Sequence, residues 1–406
     1  MARWQINLAV LWLGNFLVMM GATMVVPFLP LYIQELGITD SHELSVWTGF
    51  IFAGNFATSF IFQPIWGSLA DRYGRKFMLL RSGFGMAIVI SLMGFVTEPW
   101  HLLALRLLNG VVFGFNPAAA SLIAATAPKE RVGFALGTLQ SGMVAGTFLG
   151  PLIGGLLQEW IGFRPIFWLT GGLMVLASLL AMITVKDPFN AKAAAAQPQT
   201  TIYQGLLKLW RIPQLPALFT VTMLIQFAML CSLPQIPIFV QELYKNGPFL
   251  AFIVGLVSSV MGISNMIAAP LLGRLGDRLG PERVLLFTLI GTGLLFIPQA
   301  LVTDVWQLLI VRFVLGLFMG GLLPSVSTLI KHYTPEGMES RAFSLNSSSL
   351  SFGNMLGPIV GGFLSGWISI RGLFLLATVL FLGNAAWVSV TMFIKAPDKS
   401  NKPMPE

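Results

Sequence analysis

Gly67-Ser-Leu-Ala-Asp71-Arg72-Tyr-Gly74-Arg75-Lys76 returns 206 residues later as Gly273-Arg-Leu-Gly-Asp277-Arg278-Leu-Gly280-Pro-Glu-Arg283. Gly, Asp, Arg and Gly stay in register. Each copy ends one long apolar run and precedes the next. The same offset carries Arg106, Gly110 and Gly114 onto Arg312, Gly316 and Gly320. A charged, glycine-punctuated turn that occurs twice between apolar runs points to a transporter built from two related halves.

The runs themselves set the solvent. Of 406 residues 55% are hydrophobic and 10% charged, with a mean hydropathy of +0.80. Soluble domains carry roughly a quarter charged residues, so most of this chain is expected to face lipid. Twelve runs approach the roughly 20 apolar residues that a membrane-spanning helix needs. They lie near 6–31, 47–70, 77–97, 101–125, 134–158, 165–185, 215–240, 249–272, 284–303, 305–330, 342–366 and 372–394. Their length and lack of strict alternation favour helices over a barrel. The first run is too long for a signal peptide, and Pro27 and Pro30 stand where a small-residue cleavage site would be. The fold expected is an all-α membrane protein of twelve transmembrane helices in two six-helix, pseudo-symmetric halves.

Charge placement orients the chain. The net charge is +8, yet 19 of the 24 Lys and Arg fall on alternate loops and the two tails. Arg164, Lys245 and Arg371 fall on the opposite loops, and Arg106 and Arg312 lie inside spans. Basic residues collect on the cytoplasmic side, so both termini are expected there, and the excess charge does not indicate nucleic acid. Trp47, Trp100, Trp160, Trp306 and Trp367 stand near the outer helix ends, as an interfacial belt would place them. The polar stretch 186–214, with Gln197-Pro198-Gln199, reads as a linker between halves 1–185 and 215–395. Its end, Thr201 to Arg211, reads as a short helix on the inner membrane surface, and 396–406 as a cytoplasmic tail. No Gly-x4-Gly-Lys-Ser/Thr sequence is present for ATP phosphates. Transport is therefore expected to need no cofactor and to draw on a gradient. The lone Cys231 reads as a packing residue.

Four groups of residues carry the candidate chemistry. In the loop signature Gly67, Asp71, Arg72, Gly74 and Arg75 read as a gate, with Asp277 in the second copy. A carboxylate near a helix end is attracted to the positive N-terminus of a neighbouring helix, and such a contact latches one conformation. In the fifth run, Gly142, Gly146, Gly150 and Gly154 recur every fourth residue, with Pro151 among them. The eleventh repeats this as Gly353-x3-Gly357-Pro358-x2-Gly361-Gly362. Small residues so spaced allow close helix packing, and the strips are expected at the interface between halves. Arg106 and Arg312 each lie within a span, where arginine is costly unless it meets water or a hydrogen-bonding partner. Arg106 is expected to face the cavity and take part in coupling. Asn15, Asn109, Gln140, Gln226 and Asn346, with Met19, Phe113 and Phe227 at similar depths, are the expected substrate contacts. A flexible Met- and Phe-rich cavity with a few amides suits varied lipophilic ligands better than a sugar, which demands fixed polar partners. No acid sits unambiguously at mid-membrane. Glu35, at the outer end of the first run, is the nearest candidate to the cavity, against the plainer reading of a solvated loop acid.

These motifs resemble those of the major facilitator superfamily, specifically its twelve-helix drug/proton antiporters, over the whole chain. Gly67 to Lys76 matches the loop signature, the fifth-run glycines are similar to the antiporter signature, and Leu102-x3-Arg106-x3-Gly110 is similar to the span-four signature. Within the family, Pro27-Phe-Leu-Pro30-Leu-Tyr32, Leu80-Arg81-Ser-Gly83-x-Gly85-Met86, Ala135-Leu-Gly137-Thr138-Leu and Gly276-Asp277-Arg278-x-Gly280-Pro281-Glu282 look like the MdtG- and PmrA-type multidrug exporters. The resemblance implies proton-driven export of lipophilic compounds such as fluoroquinolones from the bacterial cytoplasm. It implies alternating access by rocking around a midplane site in a monomer of the inner membrane, with small molecules, protons and lipids as partners. Some family members carry an acid within span one or span seven, which this chain lacks. A transporter of one metabolite, such as a sugar or nucleoside, and a non-transporting receptor are the competing readings.

Overall fold

A computed structural model describes residues 3–128, 131–187, 209–210, 212–245, 247–335 and 339–394. The expectations for Gly67, for the side chains of Asp71, Arg72 and Asp277, and for most of the linker and the tail lie outside the described residues. In lipid every backbone donor and acceptor must be satisfied within its own segment, and the apolar runs accordingly form helices. The first half comprises α1 (Arg3–Glu35), α2 (Ser41–Tyr73), α3 (Arg75–Met93), α4 (Pro99–Thr126), α5 (Val132–Ile161) and α6 (Phe163–Thr184). The second comprises α7 (Gln214–Tyr244), α8 (Leu250–Leu279), α9 (Pro281–Leu301) and α10 (Val305–Tyr333), followed by one helical stretch, Glu339–Val388.

That last stretch is two spans. Its 50 residues would extend about 75 Å at 1.5 Å per residue, more than twice a hydrocarbon core of roughly 30 Å. Ser369, at φ 61° and ψ 170°, interrupts it, giving α11 (339–368) and α12 (370–388). In the first half Gly162 turns α5 into α6 with φ 75° and ψ 179°. Gly162 and Ser369 are 207 residues apart, so the two joints are repeats of one another. The twelve expected spans are present, as eleven helical stretches of which one is double.

Breaks within spans repeat as well. A 3-10 turn at Val26–Phe28 interrupts α1, and Leu233–Gln235 interrupts α7, each around a proline that cannot donate to the preceding turn. Gly114, at φ 144°, breaks α4 between Val112 and Phe115. Gly320 and Gly321 break α10 at the matching place. Gly74 and Gly280, at φ 93° and 94°, make the two signature turns.

Packing follows the same symmetry. Within the halves, α1 lies on α5 and α7 on α11, α2 on α4 and α8 on α10, α3 on α6 and α9 on α12. Between halves, α2 meets α11 and α5 meets α8. Trp100, Trp160, Trp306 and Trp367 are exposed at helix ends, whereas Trp47 is partly buried and donates to Glu43 Oε1 at 3.4 Å.

The glycine strips differ from their expected place. A Cβ on Gly142, Gly146, Gly150 or Gly154 would run into the α1 backbone near Trp12, Phe16, Met20 and Met24. On Gly353, Gly357 or Gly361 it would run into α7 at Met223, Phe227 and Cys231. The strips therefore pack inside each half. Four residues make slightly more than one 3.6-residue turn, so a spacing of four keeps all its members on one helix face, and that face belongs to α1 or α7. The next face round the helix makes the interface between halves. There Gly255 lies on the Pro151 carbonyl and Gly155 on Ala251, while Gly49 lies on the Pro358 carbonyl and Gly362 on Ser45.

Candidate functional site

The site is built on α2 against α4 and on α8 against α10. Arg106 Nε donates to the Ile51 carbonyl at 3.2 Å, and Arg312 Nε to the Val257 carbonyl at 2.9 Å. Ile51 and Val257 are again 206 apart. The arginines are only 7% and 2% exposed. Arg106 is thus held between helices by a hydrogen-bonding partner and is not open to a cavity. One turn on, Gly110 lets α4 close onto the Asn55 carbonyl and Thr58, and Gly316 lets α10 close onto the Met261 carbonyl and Ser264. Asn109 Nδ2 donates to Asn55 Oδ1 (2.8 Å), and the Thr58 hydroxyl to the Leu107 carbonyl (2.7 Å). Interhelical bonds of this kind each contribute roughly 1 kcal/mol in membranes. Together they fix the α2–α4 pair as a rigid element.

The expected substrate residues divide by environment. Asn109 is buried in the α2–α4 contact, and Asn346 is buried and accepts from the Thr222 hydroxyl at 2.7 Å. Both serve helix packing. Asn15 is 2% exposed, and its Oδ1 has no partner among the described residues. Met19 is half-buried and accepts from Asn116 Nδ2 at 2.9 Å. Phe113 ends the first segment of α4 beside the Gly114 break. Gln226 and Phe227 are half-buried on α7, with Gln226 Nε2 donating to Asn354 Oδ1 at 3.0 Å. Gln140 is exposed on α5, where neighbouring Ser141 accepts from Trp12 Nε1 at 3.0 Å. Trp12 stacks on Phe16 with centroids 5.8 Å apart.

Sequence reasoning passed over Trp12 and Asn116, although Trp12 stands one turn before Phe16 on the face that carries Met19 and Met20. It also gave Arg81, near the start of the run 77–97, no role of its own. Arg81 lies in the second turn of α3, and its guanidinium sits 3.7 Å from the Trp66 ring centroid. In the signature loop, Arg75 Nε is buried without a partner among the described residues. The Lys76 backbone donates to Asp187 at 3.0 Å, tying the start of the linker to the start of α3.

At the end of the bundle away from the termini the halves meet directly. Gln34 Nε2 donates to Gln241 Oε1 at 3.0 Å. These residues are 207 apart, so the pseudo-two-fold axis passes between them. Glu159 Oε1 accepts from the Ala251 backbone at 2.8 Å, in the first turn of α8, where a carboxylate is favoured by the positive helix end. Phe50 meets Phe363 edge-on, with centroids 5.6 Å apart. Glu35 and Glu159 share a cavity of about 490 Å³ beside these contacts. The strip residues Gly146, Gly150, Pro151, Gly154, Gly357 and Pro358, expected from the sequence to take part in gating or coupling, lie along α5 and α11 as described above.

Comparison with known proteins accords with this architecture. The family model described as Major Facilitator Superfamily matches residues 11–254 and 250–406. The chain is 42% identical over 385 residues to the multidrug resistance protein MdtG of Serratia proteamaculans, covering 95% of this chain and 93% of that protein. It is 41% identical over 382 residues to the protein of the same name from Escherichia fergusonii, covering 94% and 93%. Among solved structures it is similar to the nucleoside transporter NupG, with a TM-score of 0.79 and 14% identity over 97% of this chain and all of that one. It is also similar to a bacterial homologue of the human lysosomal transporter Spinster in an inward-facing, unoccupied conformation, with a TM-score of 0.79 and 15% identity over 95% and 96%. With two mirrored six-helix halves, a duplicated signature turn and relatives along its whole length, the chain belongs to the Major Facilitator Superfamily.

Proposed function

We propose that this protein is a proton-driven exporter of lipophilic and amphiphilic drugs, acting from the cytoplasm by alternating access. The observation that carries the reading is the 42% identity to a multidrug resistance protein across 95% of the chain. The likeness to a nucleoside transporter, at 14% identity, speaks for the fold alone. Met19 on α1 with Asn116 on α4, and Gln226 and Phe227 on α7, all half-buried, form the proposed cargo surface. It offers adaptable apolar contact with few directional demands.

The halves 1–185 and 215–395 rock as units about the α2–α11 and α5–α8 interfaces, joined by the linker 186–214. The protein is a monomer in the bacterial inner membrane with both termini in the cytoplasm, and it takes its energy from protons without a cofactor. The Gln34–Gln241 and Glu159–Ala251 contacts support a state closed at the outer side. In the opposite state Asp71 and Asp277 latch the inner side. Drug accumulation in cells expressing the protein, with and without a protonophore, tests the reading. Low accumulation that rises when the gradient is collapsed is expected. Accumulation indifferent to both protein and protonophore rejects it.

A further inference from the structure

One feature of the first half has no counterpart in the second. The half-buried Arg81 guanidinium lies 3.7 Å from the Trp66 ring centroid, and its Nε is shut off from solvent without a partner among the described residues. Its Nη2 lies near the Gly114 break in α4, 3.6 Å from where a Cβ would stand. Trp66 itself is anchored, its Nε1 donating to the Val111 carbonyl at 2.6 Å. Arg81 is the seventh residue of α3, about 9 Å along it at 1.5 Å per residue, on the side of the bundle that carries the termini.

The surroundings open to lipid. Phe77, one turn before Arg81, is 58% exposed, and Ile65, beside Trp66, is 44% exposed. At the repeat-related positions, 206 residues on, stand Leu272 and Phe287. Phe287 faces outward and contacts Phe318, with centroids 5.3 Å apart. The fold therefore does not need a cation here, since the same backbone is built with apolar residues in the other half. A guanidinium whose Nε has no partner among the described residues calls for an acceptor, and its planar fork matches the paired oxygens of phosphate or carboxylate.

We infer that Arg81 and Trp66 form an oxyanion subsite open to the membrane, which takes the acid group of a molecule whose apolar body lies in lipid. An anionic phospholipid headgroup and the carboxylate of an acidic amphiphile share this chemistry. The Trp66 ring stacks against the guanidinium, and the acid group reaches it from the lipid side, where Phe77 is exposed. The site does not rest on the export reading, because a lipid bound here would be a partner whether or not drugs are carried.

The test uses purified full-length protein, its Arg81→Gln and Arg81→Lys variants, and Trp66→Leu. In one arm each is reconstituted in mixed phosphatidylcholine and phosphatidylglycerol nanodiscs, and the lipids held after extraction are measured by native mass spectrometry. In the other arm, in phosphatidylcholine alone, binding of 9-anthracenecarboxylate is compared with 9-anthracenemethanol. A charge-assisted hydrogen bond corresponds to about a tenfold preference. Wild-type protein is expected to prefer the acidic ligand by about that factor in at least one arm. Arg81→Gln should abolish the preference, and Arg81→Lys and Trp66→Leu should keep only part of it. Loss in the lipid arm assigns the site to phospholipid, and loss in the anthracene arm alone assigns it to free amphiphiles. No preference in wild-type protein, or the same preference in Arg81→Gln, overturns the inference. Dye export by the same variants, scored separately, bears on the export reading alone.

Discussion

At Gly142 a single added methyl would stand 2.7 Å from the Trp12 carbonyl. At Gly150 it would meet the Thr23 hydroxyl and the Met20 carbonyl. Backbone cannot give way as a flexible side chain does, so these positions should refuse even small groups. Gly142→Ala is expected to destabilise by about 1–3 kcal/mol through overpacking, and Gly150→Leu to abolish transport. Gly137, in the same helix, has nothing within 4 Å of an added Cβ. Gly137→Ala should be neutral, or stabilise by up to about 1 kcal/mol through helix propensity. Thermal unfolding in detergent together with a dye-export assay checks all three. Equal tolerance at positions 137 and 150 would contradict the packing described. Arg106 and Arg312 invite a similar comparison. Each holds a backbone carbonyl of the adjacent helix through Nε, a contact the lysine ammonium cannot copy in geometry. Arg106→Lys should slow transport about tenfold, the scale of one charge-assisted hydrogen bond. If the contact is only structural, Arg312→Lys should match it. If Arg106 also couples protons, its variant alone should change the ratio of proton to substrate flux.

Helix identities and the repeat were legible in the sequence because hydrophobic length and a fixed offset are properties of the chain itself. Which neighbour each helix touches was not. The every-fourth glycines of α5 announce a close partner, but one helix face cannot say whether α1 or the other half lies on it. The amides show the same limit. Asn109 and Asn346 have the depth of ligand contacts, yet Asn55 and Thr222 engage them, and only three-dimensional pairing reveals that. The joint between α11 and α12 falls where the eleventh and twelfth runs part, but its backbone conformation was not legible. Its first-half counterpart is Gly162, whose backbone conformation glycine favours, whereas Ser369 takes nearly the same φ and ψ with a side chain attached. Non-glycine residues in that region bear about 1–3 kcal/mol of strain. Ser369→Gly is therefore expected to raise stability by about 1 kcal/mol, after the extra chain entropy of glycine is discounted. Gly162→Ser should lower it. Unfolding midpoints of the two variants check this, and a destabilised Ser369→Gly would mean that the serine side chain does more there than the backbone costs.

For the whole molecule, the pseudo-two-fold axis between Gln34 and Gln241 makes the proposed outer closure a symmetric contact reinforced by one asymmetric charge, Glu159 on the first turn of α8. A Gln34→Cys, Gln241→Cys pair should cross-link readily and arrest export until reduced. The native Cys231 is buried, so it should not interfere. Glu159→Gln keeps the side-chain shape but loses the charge attracted to the helix end, and should shift the population toward the outward-open state, read as slower cross-linking. At the opposite end, Asp71→Asn should slow export without loss of protein, and by more than Asp277→Asn if the first signature is the principal latch. On the proposed reading, rocking between two such closures moves cargo uphill because protons drive it. The most direct test of that claim reconstitutes the purified protein in liposomes, imposes a pH gradient, and follows a lipophilic dye and proton flux together. The account predicts dye movement against its own gradient, opposite to proton flow and abolished by a protonophore. Dye flux of the same rate and extent with and without the pH gradient would contradict it.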